Sequence, residues 1–292
     1  LNATMEDFLV QREIKDEAFN LGDDYEHSIL NLAFFNHYWV IQLLDADSRL
    51  IYLRSEPEDE KFTPEGEKFR IPASLRSDNL LKKQFRAKNI VCSTSRTTLV
   101  PSALFSEDLA SYYFQLNFGE SKYNQVFHNY IDQLDAYLLF ALPKTAVQQL
   151  KMLVDYDNLY SIATPWLKSL FTQFQHSKSP ILVADFEDPL VRVAIFKEGS
   201  LQFFNTFRFT NDQDMLYYLV YISEQLALDP HQHKYYFSGT IFRHSERFKL
   251  LYRYIRYPRF LQKLANLEYS HHLDEVPEHY FYNLLGMPLC ES

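Results

Sequence analysis

The sequence predicts an α/β protein built twice over, with two mixed sheets flanked by helices and a cleft between the halves. Two observations carry this. Each half opens on a short apolar run suited to a strand buried on both faces (residues 29–35 and 181–186), then a tight turn, a second strand, a polar turn and a third strand. After each of these meanders, helix-period and strand-period segments alternate. The two halves share pattern rather than residue identity.

The elements follow in order. Residues 1–27 are polar and acidic and read as irregular. The apolar run 29–35 is a strand, Asn36 and His37 turn the chain, and 38–44 is a second strand rich in aromatic and β-branched residues. Asp45 to Ser48 is a turn and 49–53 the third strand. Residues 55–73, with three prolines and Gly66, read as a loop, and Leu75, Leu80, Leu81 and Phe85 suggest a helix. Residues 90–100 read as one strand ended by Pro101, and Ser106-Glu107-Asp108 opens a helix with an acidic first turn. Extended segments follow at 125–131 and 136–142. Pro143 then starts a helix whose Val147, Leu150 and Val154 share one face. A strand at 159–163 and a helix at 166–174 complete this half, and Ser177-Lys178-Ser179-Pro180 reads as the linker. The second half gives strands at 181–186, 190–196 and 201–209, a helix after a Thr210/Gln213 capping box, and a strand at 235–237 ending in Ser238-Gly239-Thr240. The remainder reads as mostly helical. The expected domains are 1–178, with an inserted subdomain near 100–135, and 179–292.

Composition excludes several classes. The 292 residues are 47% apolar and 23% charged, as in ordinary globular chains. The 21 Tyr and 25 Phe supply a large core. Glycine is scarce, six in the chain, and neither a Gly-x-Gly nor a Gly-Lys-Ser/Thr occurs, which excludes the Rossmann and Walker A phosphate loops. The net charge of −9 argues against a general nucleic-acid binder. Acidic residues crowd 1–60, while 241–263 is basic and reads as a solvated helix face. Its aromatic-basic run 248–257 reads as core plus solvated stripe rather than as a base-stacking surface.

Cys92 and Cys290 form no Cys-x-x-Cys, so a zinc ribbon or disulfide framework is excluded, and Cys92 reads as a buried hydrophobe. No apolar run reaches the roughly 18 residues of a membrane span, and no basic-then-apolar leader opens the chain. The expectation is a cytoplasmic protein. His271, His272 and His279 lie in a tail without metal-ligand spacing and read as solvated, as do His231 and His233. The hydroxyls of 94–98 lack a nucleophile elbow.

The order Leu139-Phe140-Ala141-Leu142-Pro143-Lys144, a helix to Val154, the strand 159–163 and the helix at Trp166 resembles the actin-like ATPase superfamily of actin, sugar kinases and the Hsp70 nucleotide domain. It is most similar to the pilus-assembly branch, and the 100–105 stretch with its helix resembles that branch's inserted subdomain. Over residues 28–260 the chain is also similar to a Bacteroidetes family of unknown function with an actin-like fold. The resemblance implies duplicated ribonuclease H-like domains around a cleft. In that superfamily two hairpins reading approximately Asp-x-Gly-x-x-Thr and one Gly-Gly turn hold ATP and Mg²⁺.

Here those motifs are degenerate. In the first hairpin Ala33 stands at the Asp position and Phe35, followed by Asn36, at the glycine position. In the second, Asp185 is kept, Glu187 replaces glycine, and Asp188 follows. Ser238-Gly239-Thr240 keeps one glycine of the third. A Phe at phosphate volume blocks it, and a carboxylate about 4 Å from phosphate costs roughly 4 kcal/mol at an effective dielectric of 20. Mg²⁺ paired with Glu187 and Asp188 is the one way to reverse that sign. Asp185 reads as a strand-end residue satisfied by backbone donors. The expectation is a non-catalytic pseudo-ATPase without a cofactor, acting on an unknown protein partner. The alternative is an ATPase or kinase, holding ATP and Mg²⁺ in altered loops.

Overall fold

The chain is described from a computed structural model, which covers residues 12–17, 19–20, 25–58, 64–66, 69–264 and 276–290. It divides into two compact units: the described residues up to Thr164 form one and those from Pro165 form the other. The unit boundary thus precedes the segment 177–180 that the sequence offered as a linker.

The N-terminal unit is built on β1 (Arg12–Lys15), β2 (Tyr25–Phe34), β3 (Tyr38–Leu44), β4 (Leu50–Pro57), α1 (Ala73–Arg76) and β5 (Phe85–Cys92). It continues with β6 (Thr97–Pro101), α2 (Ala110–Phe118), β7 (Asn124–Ile131), β8 (Ala136–Pro143), α3 (Lys144–Leu153) and β9 (Asn158–Ser161). α4 (Ala163–Phe174) begins as this unit ends. The main sheet runs β1-β4-β3-β2-β5-β9, and a separate sheet runs β6-β8-β7 with α2 packed on it through Phe114. Both faces of β2 and β3 are buried, which is why their sequences are nearly continuous apolar runs. Four amide side chains in this core are paired. Asn158, Asn89, Asn31 and Gln42, on β9, β5, β2 and β3, form a ladder of amide bonds at 2.9–3.0 Å, each donating to the next strand.

The C-terminal unit contains β10 (Ile181–Glu187), β11 (Leu190–Lys197), β12 (Ser200–Arg208), α5 (Asp212–Gln225), β13 (Lys234–Gly239), α6 (Glu246–Tyr254), β14 (Pro258–Phe260) and α7 (Tyr282–Leu285). Its sheet runs β12-β11-β10-β13-β14. That is the order β4-β3-β2-β5-β9 repeated: an antiparallel meander, then two parallel strands beyond its first member. The duplication expected from pattern is therefore present in topology.

Several expectations shift. β1 forms where an irregular segment was expected, because an edge strand needs only Ile14 inward while Glu13 and Lys15 stay in water. Residues 90–100 divide between β5 and β6 in different sheets. The expected helix near 75–85 is one turn of α1 and a 3₁₀ turn before β5. The cap of α5 lies one residue later than predicted: Asn211 accepts the Asp214 N–H at 2.9 Å, while Thr210 donates to the Asp214 carboxylate. The C-terminal part is less helical than expected, with β14 inside it. Cys92 is buried, and desolvation pushes its thiol pKa up.

Candidate functional site

The second hairpin is the most charged place in the core. β10 and β11 meet across a two-residue turn, Asp188-Pro189, so Glu187 pairs with Leu190 and Asp185 lies directly opposite Arg192. Arg192 is 0% exposed, as is Asp185, and Glu187 is 2% exposed. The Arg192 guanidinium donates to Asp185 at 2.9 Å and to Glu187 at 2.5 Å. Asp185 also accepts the Ser238 hydroxyl at 2.7 Å and the Asn283 amide at 3.3 Å. The Trp166 indole N–H in turn reaches the Ser238 hydroxyl at 3.4 Å.

Burial pushes the Asp185 carboxyl above its ordinary value, against the pull of the Arg192 charge and the Ser238 hydrogen bond. Burial also works against the charge on Arg192, but the Glu187 and Asp185 carboxylates hold its pKa above the usual value. Arg192 thus stands as an internal cation between two carboxylates.

The turn is closed in the same way. Arg247 of α6 makes a bidentate pair with Asp188 at 2.6 and 3.0 Å and donates to Asp212 at 2.7 Å, with its guanidinium 5.0 Å over the Phe209 ring. The third motif closes onto the hairpin from β13. Gly239 has φ +80°, and a Cβ there would lie 2.1 Å from the Phe186 carbonyl oxygen, so only glycine fits. The Thr240 N–H and hydroxyl both donate to that carbonyl, at 2.7 and 3.0 Å, and the Gly239 N–H donates to the His279 carbonyl at 2.8 Å.

The first hairpin, in the N-terminal unit, is closed by rings. The Phe35 N–H donates to the Tyr38 carbonyl at 3.0 Å across Asn36-His37. The two rings stack, with centroids 4.3 Å apart and planes 9° apart. Phe35 and Asn36 are buried. Beyond β5, the Glu65 carboxylate accepts the Ser95 N–H at 2.7 Å, the Arg96 N–H at 3.2 Å and the Ser95 hydroxyl at 2.7 Å. Within the hydroxyl-rich stretch 94–98, Ser95 and the Arg96 N–H therefore bind an internal carboxylate.

The structure brings Asp185, Glu187, Ser238, Gly239 and Thr240 into one cluster, with Asp188 at its turn, and places Phe35 and Asn36 at the corresponding turn of the other unit. Four expectations are corrected. Glu187 is not an uncompensated charge, because Arg192 neutralises it. Asp185 is held by side-chain donors rather than by backbone N–H groups. The basic stretch 241–263 is not wholly a solvated face, since Arg247 is tied into the turn. His279, expected in a solvated tail, is buried against Phe260 with ring centroids 4.1 Å apart, while His271 and His272 lie outside the described residues. His233 accepts the Asp229 N–H at 2.8 Å. Arg192 was the residue missed. Its signal was available: a lone cation inside an apolar strand, seven positions after Asp185 across a tight turn.

The repeated sheet and its two hairpins define an actin-like fold. The crystal structure of a Bacteroides thetaiotaomicron VPI-5482 protein with an actin-like ATPase fold and unknown function is similar at TM-score 0.75 and 16% identity, over 91% of this chain and 96% of that one. The PilM–PilN type IV pilus biogenesis complex is similar at TM-score 0.59 and 12% identity, over 90% and 99%. At these identities the likeness shows the fold alone. Residues 24–257 match the profile of a family described as protein of unknown function, DUF3822, and the chain belongs to that family. Among curated proteins none matches. No helix among the described residues is long and apolar enough to cross a membrane.

Proposed function

We propose that the chain is an actin-like pseudo-ATPase that works as a protein-interaction scaffold without turning over nucleotide. The observation that carries this is Arg192, fully buried and bonded to both Asp185 and Glu187. In the resembled superfamily a carboxylate at this strand end orders Mg²⁺ and a glycine beside it admits phosphate. Here an internal guanidinium supplies the positive charge, and the Glu187 side chain occupies the glycine position. Asp188, the other acid available to a cation, is held by Arg247. Dismantling the buried Arg192 pairs to admit a metal-triphosphate leaves charge without its counter-charge in the core, at about 3–5 kcal/mol for each pair broken. The scaffold role draws on the similarity to PilM, whose solved structure is a complex with a second protein.

Calorimetric titration of the full chain with Mg-ATP is the test. The expected result is no saturable binding up to millimolar nucleotide and no phosphate release. Micromolar binding with turnover overturns the proposal.

A further inference from the structure

A cavity of about 730 Å³ opens in the C-terminal unit beside β14 and the start of α6. It borders the third motif, since the carbonyl of His279 in its lining accepts the Gly239 N–H at 2.8 Å, but none of the contacts described above uses its cationic rim. Its wall is aromatic: Tyr236, Phe242 and Phe260 line it, and the buried His279 ring lies against Phe260 at the base, with centroids 4.1 Å apart and planes tilted by 30°. Desolvation lowers the His279 pKa to about 4, so the base is uncharged at neutral pH.

The rim carries Arg243 and Arg259, both exposed. Neither forms an ion pair with a described residue, and the Arg243 guanidinium rests 5.5 Å over the Phe260 ring. Among the described residues one acidic side chain, Glu278, also lines the cavity, and it accepts the Lys263 N–H at 3.4 Å. In a chain of net charge −9, with Arg192 and Arg247 paired to carboxylates, two guanidiniums without an ion pair among the described residues, one of them over an aromatic ring, stand out. Guanidiniums favour carboxylate or phosphate groups, and the rings favour a flat apolar body between them.

We propose that this cavity is a binding site for an anionic ligand with a flat ring, its carboxylate or phosphate groups held by Arg243 and Arg259 and its ring packed against Phe242 and Phe260. The site does not rest on the pseudo-ATPase reading: Asp185, Glu187 and Arg192 are not among its lining residues, although His279 is bonded to Gly239 of the third motif. A small metabolite and an acidic segment of a partner protein present the same chemistry, and the test separates them.

Full-length protein is titrated with naphthalene-2,6-dicarboxylate and with the capped peptide Glu-Trp-Glu, at low and high salt. Saturable binding of at least one probe is expected, weakening with salt. Arg259→Ala and Arg243→Ala each weaken it about tenfold or more, while Arg253→Ala on the exposed face of α6 leaves it unchanged. Tighter binding of the peptide assigns a protein segment as the natural ligand, and tighter binding of the dicarboxylate assigns a small molecule. Melting curves check that each variant folds, and Arg259→Gln replaces any that does not. Failure of both probes to saturate overturns the site, as does an equal loss in Arg253→Ala. Mg-ATP is added last as a competitor: if it displaces a bound probe, the cavity stands as an anion site that also accepts nucleotide, and the pseudo-ATPase reading falls only if phosphate is released as well.

Discussion

The hairpins β2–β3 and β10–β11 occupy the same place in two sheets of the same order, yet one is closed by rings and the other by charges. Ala33 faces Val40 where Asp185 faces Arg192, and Phe35 stacks on Tyr38 where Glu187 reaches Arg192. Both arrangements fill a turn that in the resembled superfamily is left open by glycine. Apolar closure needs only volume, and removing one ring loses that ring's contacts. Ionic closure is conditional, because each member makes the burial of the others tolerable. Loss of Arg192 takes the counter-charge from two buried carboxylates at once.

The largest expected effect follows from that. Arg192→Met should destabilise the C-terminal unit by about 5 kcal/mol, the upper end for breaking a buried pair. Urea denaturation measures it. Adding Asp185→Asn and Glu187→Gln to Arg192→Met should recover a large part of the loss, because the uncompensated negative charges are gone. If the triple variant is no more stable than the single one, Arg192 acts through packing and the ionic account fails. Phe35→Ala should cost about 3–4 kcal/mol in the N-terminal unit through the lost ring and the space left behind, with no compensating partner substitution. The two tryptophans report the units separately. Trp39 lies in β3 and Trp166 in the C-terminal unit, both fully buried, so single-Trp variants follow each transition.

The contrast also explains what could be read from the sequence. Apolar runs announced β2, β3, β10 and β11 because strands buried on both faces must be apolar throughout. Asp185, Glu187 and Gly239 were located by the resemblance, and a pairing register would have located Arg192 as well. The asparagine ladder was hidden because Asn31 and Asn89 find partners only when four strands align. β1 and β14 were hidden because short edge strands carry polar residues and little periodicity. The aromatic cavity at β14 depends on residues far apart in sequence, Tyr236 and His279 among them. Composition gave no hint of it beyond a basic stretch.

A third prediction uses pH. The unfolded chain protonates His279 near 6.5, whereas the folded chain resists until about pH 4. Between those values the unfolded state binds more protons, so folding stability falls as pH falls from about 7 to 4, by about 3 kcal/mol from this group. Denaturation of the wild type and His279→Gln across that range measures it as the difference in slope. The loss belongs to the C-terminal unit and should appear in the Trp166 signal. An equal loss in the Trp39 signal would remove the distinction between the units.

The smallest effect tests how far the ionic closure extends. Asp188 sits at the tip of the same turn, but its pair with Arg247 is 18% and 13% exposed rather than sealed. Arg247 also keeps Asp212 at 2.7 Å and the Phe209 ring when Asp188 is neutralised. Asp188→Asn retains a hydrogen-bond acceptor and orphans no charge in the core, so it should cost about 1 kcal/mol. Because the pair touches solvent, that cost should shrink further at high salt, whereas the Arg192→Met loss should hardly change. Urea denaturation at low and high salt separates the two. A salt-insensitive loss as large as that of Arg192→Met would mean that the turn and the buried cluster form a single ionic unit.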